Sequence, residues 1–104
     1  KNFFMVEDCI EGMLTVYEKM ERDCDVFNLG TDTYSTVTRV AEIVCEEMGL
    51  QNVKFNYSGG SRGWKGDAPY VHFNIEKVKR LGWSPKHTSD EAVRIAARRL
   101  IGKE

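Results

Sequence analysis

The chain has 104 residues, enough for one small domain and close to the size at which a hydrophobic core is only just sufficient. Its 15 basic and 16 acidic side chains leave a net charge of −1, so charge offers no argument for a nucleic-acid or membrane partner. No apolar run approaches the roughly 20 residues that span a bilayer.

The opening Lys1-Asn2-Phe3-Phe4-Met5-Val6 has too short an apolar stretch for a signal peptide, and it lacks an initiator Met. This start is the first ground for expecting a fragment of a longer protein. Cys9, Cys24 and Cys45 form no CxxC pair, and an odd, scattered set fits a reducing cytoplasm better than a disulfide framework.

Residues 3–6 read as a short buried strand. An apolar stripe of Ile10, Met13, Leu14, Tyr17 and Met20 then predicts a helix over 7–21 with that stripe facing inward, and Glu7 and Asp8 suit the dipole at its start. Val26-Phe27-Asn28-Leu29-Gly30 reads as a strand apolar enough to want neighbours on both sides. A second amphipathic helix is expected over 37–48, with Val37, Val40, Ala41, Val44 and Met48 on one face, Thr36 as N-cap and Gly49 ending it. The alternation in 53–57 predicts a half-buried third strand.

Ser58 to Pro69 breaks the pattern with four glycines and the side chains Arg62, Trp64, Lys65 and Asp67, so it is a loop. A short helix follows from Asn74 to about 81, with Ile75 and Val78 inward, and Trp83-Ser84-Pro85-Lys86 reads as a turn. Thr88 and Glu91 have capping-box spacing, opening a last helix to about 101 with Val93, Ala96, Ala97 and Leu100 inward. The pattern as a whole is α/β, with three short strands and about four helices. Three short strands make a poor sheet alone.

Only the glycine-rich loop offers chemistry. Arg62 carries a planar fork of donors suited to a phosphate, glycines let the backbone approach a ligand, Asp67 can accept from sugar hydroxyls, and Trp64 can stack on a ring. Residue types alone leave a second reading open, a surface loop with scattered charges. Arg62, Trp64 and Lys65 are too few, in a near-neutral chain, to make a nucleic-acid site. His72 and His87 lie at no metal or triad spacing, and no glycine fingerprint sits between a strand and a helix.

Four segments, in order, resemble the last third of the extended short-chain dehydrogenase/reductase family, in its nucleotide-sugar epimerase and dehydratase branch. They are FFMVEDCIEGML, VFNLGTDTYSTVTRVAEIV, RGWKGD and NIEKVKRLGWSPKHTSDEAVR. The resemblance implies a C-terminal substrate-binding region over 1–104, with the Rossmann-type, NAD-binding N-terminal domain absent. It implies that Arg62 contacts the diphosphate of a nucleotide sugar and that Asp67 helps bind the ribose. Gly66 falls where close backbone packing is usual, and Trp64 is the fourth candidate binding residue. Asp8, Asn28 and Gly30 match structural positions.

The parent reaction implied is C4 epimerisation of a UDP-sugar by transient oxidation and hydride return. Dehydratase, decarboxylase and reductase members are alternatives, and a stand-alone interaction module is an alternative of another class. The family's Tyr-x-x-x-Lys pair has no counterpart here: Tyr17 is followed four residues on by Glu21, and Tyr70 by Asn74. The fragment alone is therefore expected to be inactive and to bind no cofactor. Its expected partners are the nucleotide sugar, the missing domain and, as in many intact relatives, a second copy in a homodimer, with neither nucleic acid nor membrane among them.

Overall fold

The computed structural model describes residues 1–60, 62–68 and 71–103. Four helices follow one another: α1 over Val6–Lys19, α2 over Val37–Met48, α3 over Glu76–Lys79 and α4 over Ser89–Leu100.

The helix ends follow from local chemistry. The Thr36 hydroxyl accepts from the Arg39 N–H at 3.1 Å, and Gly49 closes α2 at φ 69°, where a side chain would be strained. At α4 the expected capping box forms, with the Glu91 N–H donating to Thr88 Oγ1 and the Thr88 N–H to Glu91 Oε1, each at 3.2 Å. Asn74 Oδ1 accepts from the Glu76 N–H at 2.9 Å, one residue ahead of the α3 cap, and Gly82 at φ 97° turns the chain out of it.

The α/β expectation is overturned. Among the described residues there is no strand: the segments 3–6, 26–30 and 53–57 form no ladder, Val6 already belongs to α1, and the regular structure is all helical. A strand exists only as part of a ladder, and an apolar, extended segment without a neighbour leaves its backbone groups to water. The apolar runs and alternation in these segments therefore do not mark strands in this fold.

The expected facing of α1 is reversed as well. Its apolar stripe points outward, with Ile10 52%, Met13 59%, Leu14 57% and Tyr17 81% exposed, while Asp8 and Gly12 are buried. The side toward the body of the protein is chosen by fit. A Cβ on Gly12 would lie 3.0 Å from Leu29 Cδ2 and 3.1 Å from Trp83 Cε2, so only glycine lets the helix come this close.

Behind it, Ile75, Val78 and Trp83 form the core, with Phe4, Val16, Phe27 and Leu29 packed around them. Trp83 lies within what reads as a turn and is 5% exposed, its ring meeting Phe4 edge-on at 6.1 Å. The facing of α2 is also corrected. Ile43 is its fully buried apolar residue and Glu47 is buried beside it, whereas Val37 and Met48 are exposed; on α4, Val93 and Ala97 are buried but Ala96 and Leu100 are not.

Polar contacts tie the helices together. The buried Asp8 carboxylate accepts the His87 N–H at 3.1 Å, joining the start of α1 to the approach to α4. Ser35 and Ser89 share a hydroxyl hydrogen bond at 2.7 Å, and the Ser89 hydroxyl accepts from the Phe3 N–H at 2.9 Å. Helices α2 and α4 pack on each other through an ionic lattice. Arg94 reaches Glu46 and Glu47 at 2.6 Å each, Arg98 reaches Glu47 at 2.9 Å, and Arg39 reaches Glu46 at 3.2 Å.

The result is a plate of 54 × 33 × 18 Å with a radius of gyration of 16.6 Å. A closed domain of this length would have about 13 Å. One broad side is an apolar groove of about 590 Å³ between the Phe3–Val6 segment, α2 and α4.

Gly12→Val should destabilise the fold by about 1–3 kcal/mol through overpacking against Leu29 and Trp83, read as a lower denaturant midpoint at unchanged slope.

The arginines hold Glu46 and Glu47 below the usual carboxylate range, Arg94 being the largest cause for both. Their stabilisation is therefore present above the unfolded carboxylate pKa of about 4.3 and is lost as pH falls through the lower folded values. The thermal midpoint should hold down to about pH 5 and then fall, with a shallower fall in Arg94→Met.

Candidate functional site

The loop begins with Gly59 and Gly60, at φ 82° and 97°, conformations that an L side chain resists. Ser61, Pro69 and Tyr70 lie outside the described residues. Between them the chain closes on itself. The Asp67 N–H donates to the Trp64 carbonyl at 3.0 Å, and the Gly63 N–H donates to Asp67 Oδ2 at 3.1 Å.

Asp67 Oδ1 is ion-paired with the Lys1 ammonium, which also donates to the Ala68 carbonyl at 2.6 Å. This pair, then the Gly63 N–H, holds the Asp67 carboxyl below its ordinary range. Asp67 is thus an ionised acceptor with each oxygen already engaged once. A carboxylate oxygen has room for a second donor, so hydroxyl recognition stays open to it.

The structure brings three of the four expected residues into contact, Trp64 with Gly66 and with the Asp67 N–H, and leaves Arg62 without such a contact. Gly66 lies under Trp64: a Cβ there would sit 2.5 Å from the ring, which is itself 70% exposed. Trp64 is therefore a solvent-facing plate resting on a glycine. Asp67 closes the loop. Arg62 is exposed and, among the described residues, forms no hydrogen bond or ion pair, so its fork of donors is available.

Beside the loop is a cavity of about 670 Å³ whose walls include Lys1, Phe3, Thr31, Tyr34, Ala68, His72 and Phe73. Lys1 and Ala68 belong to both the loop closure and the cavity wall. Sequence reasoning missed Lys1 and the aromatic lining, because Lys1 and Asp67 are 66 positions apart and only the tertiary path joins them.

His87 turns out to be structural, with Nδ1 3.4 Å from the buried Asp8 carboxylate. Among the described residues no group of acids, histidines and cysteines is placed to hold a metal. No helix among the described residues is long and apolar enough to cross a membrane.

No protein-family model and no curated protein matches the chain. Its fold does match a solved structure described as UDP-galactose 4-epimerase, with a TM-score of 0.77 and 30% sequence identity over 99% of this chain. The chain spans 34% of the length of that epimerase. The resemblance to nucleotide-sugar epimerases carried by the four sequence segments is thereby borne out: this is the fold of about a third of such an enzyme.

Gly66→Val should displace the Trp64 ring, which has open solvent to move into, while leaving stability within about 0.5 kcal/mol. A change in tryptophan fluorescence at an unaltered thermal midpoint is the expected readout.

Proposed function

We propose that residues 1–104 are the C-terminal, substrate-binding region of an NAD-dependent nucleotide-sugar epimerase, acting on a UDP-sugar by C4 epimerisation in the cytoplasm. The observation that carries this reading is the exposed Arg62 guanidinium, on a loop whose own carboxylate is otherwise engaged and whose Ala68 borders a 670 Å³ cavity, Arg62 itself standing outside the cavity's walls. Arg62 makes the charge-assisted, two-pronged contact to the diphosphate. Asp67 accepts from a ribose hydroxyl through its remaining lone pairs, Gly66 allows close approach, and Trp64 shields the bound ligand from water.

The other two thirds of the epimerase fold hold the NAD and the Tyr-x-x-x-Lys pair. NAD, when bound, supplies a reversible hydride acceptor, and the residues of this chain bind and orient the substrate toward it. The same two thirds cover the outward stripe of α1. The fold's resemblance to UDP-galactose 4-epimerase supports epimerisation over dehydration, decarboxylation or reduction. The intact enzyme forms a homodimer and takes neither nucleic acid nor membrane as partner.

A second reading, a stand-alone docking module, is favoured by the bare apolar face of α1. The two readings part on ligand binding, since a docking module has no use for a nucleotide sugar.

In the intact enzyme, Arg62→Ala should weaken nucleotide-sugar binding by about 1.5–3 kcal/mol, the range for a lost charged hydrogen bond. The change should appear in KM for the UDP-sugar. An unaltered KM in that variant would count against the assignment.

A further inference from the structure

We propose that Lys1 is the positioning residue of this site: its ammonium acts as a strap that fixes the 62–68 loop through Asp67, and with it the Arg62 guanidinium and the Ala68 edge of the cavity. The inference rests on the nucleotide-sugar reading only for the identity of the ligand; the strap itself rests on geometry.

Three contacts make it. The Lys1 ammonium binds Asp67 Oδ1, and it donates to the Ala68 carbonyl at 2.6 Å. On the other side of the same carboxylate, Oδ2 accepts the Gly63 N–H at 3.1 Å. The path from the 1–5 segment to the residue after Arg62 therefore runs through one carboxylate, with no other side chain between.

The loop needs such a strap. Gly59, Gly60, Gly63 and Gly66 remove the Cβ atoms that would restrict its backbone, and it places no described side chain in the core. A loop of this composition gains its shape from the few polar contacts it makes, and one bridging cation decides whether the Asp67 turn stays closed. Lys1 is itself anchored, since its carbonyl accepts the Ser35 N–H at 2.7 Å. Ser35 in turn is hydrogen-bonded to Ser89 at the start of α4. The strap thus ties the loop to the most buried polar part of the fold.

Two consequences separate a strap from a direct ligand contact. Closure of the Asp67 turn shields the Gly63 amide whether or not ligand is present. The effects of removing Lys1 and Asp67 are also shared, because either loss opens the same turn.

The test measures amide hydrogen exchange at Gly63 and UDP affinity in the chain itself, for Lys1→Met, Asp67→Asn, the double variant and Lys1→Arg. Gly63 exchange should rise about fivefold in Lys1→Met, the upper end for loss of an exposed ion pair, and return toward the parent value in Lys1→Arg. UDP binding should weaken in each single variant, more in Asp67→Asn, which also loses part of a ribose contact, with the double variant no weaker than Asp67→Asn alone. Unchanged Gly63 exchange in Lys1→Met overturns the strap. Additive losses of UDP affinity also overturn it, since they mean that each residue acts on the ligand independently. If the unsubstituted chain binds no UDP, the nucleotide reading fails by itself, and the exchange data still decide the strap.

Discussion

The structure depends on one close approach, that of the Asp8–Gly12 side of α1 to Trp83 and Leu29. With no side chain at position 12, the helix backbone settles directly on the indole and the leucine. The core of Ile75, Val78 and Trp83 can then be small and still be dry. Four residues earlier on the same side, Asp8 is 1% exposed and accepts the backbone N–H that leads into α4. An acid so deeply buried is tolerated because its acceptor is used. Packing and polar satisfaction both select this side of α1, and together they outweigh the larger apolar stripe opposite.

That choice explains why the molecule is a plate. With the stripe of α1 outward and a groove open between the Phe3–Val6 segment, α2 and α4, much apolar surface remains exposed to solvent. Exposed apolar surface of this extent is the kind that another surface can cover. The chain spans 34% of the length of the solved epimerase whose fold it matches.

The polar half of the molecule has its own logic. The α2–α4 lattice spreads three arginines over Glu46 and Glu47, so no charge on that interface stands alone. The loop works differently. It has few apolar anchors, its acid is engaged by Lys1 and Gly63, and its arginine is left available. A rigidly paired scaffold beside a sparsely tethered loop is the usual division between what holds a site and what binds in it.

Much of the local structure was legible in the sequence. Thr36, Gly49, the Thr88–Glu91 box and the four helices depend on neighbours within about one turn, and one turn of sequence contains that information. The glycine-rich loop and its candidate residues were legible for the same reason, as was the kinship carried by four motifs in order. Tertiary structure alone decided the rest. Which side of α1 faces inward depended on a leucine and a tryptophan far along the chain. Three strand-like segments stayed unpaired because a ladder needs a partner that alternation cannot supply. Lys1 entered the site across 66 positions of sequence. Periodicity reports that a face is apolar; only the geometry of what lies against it determines whether that face is covered, and by what.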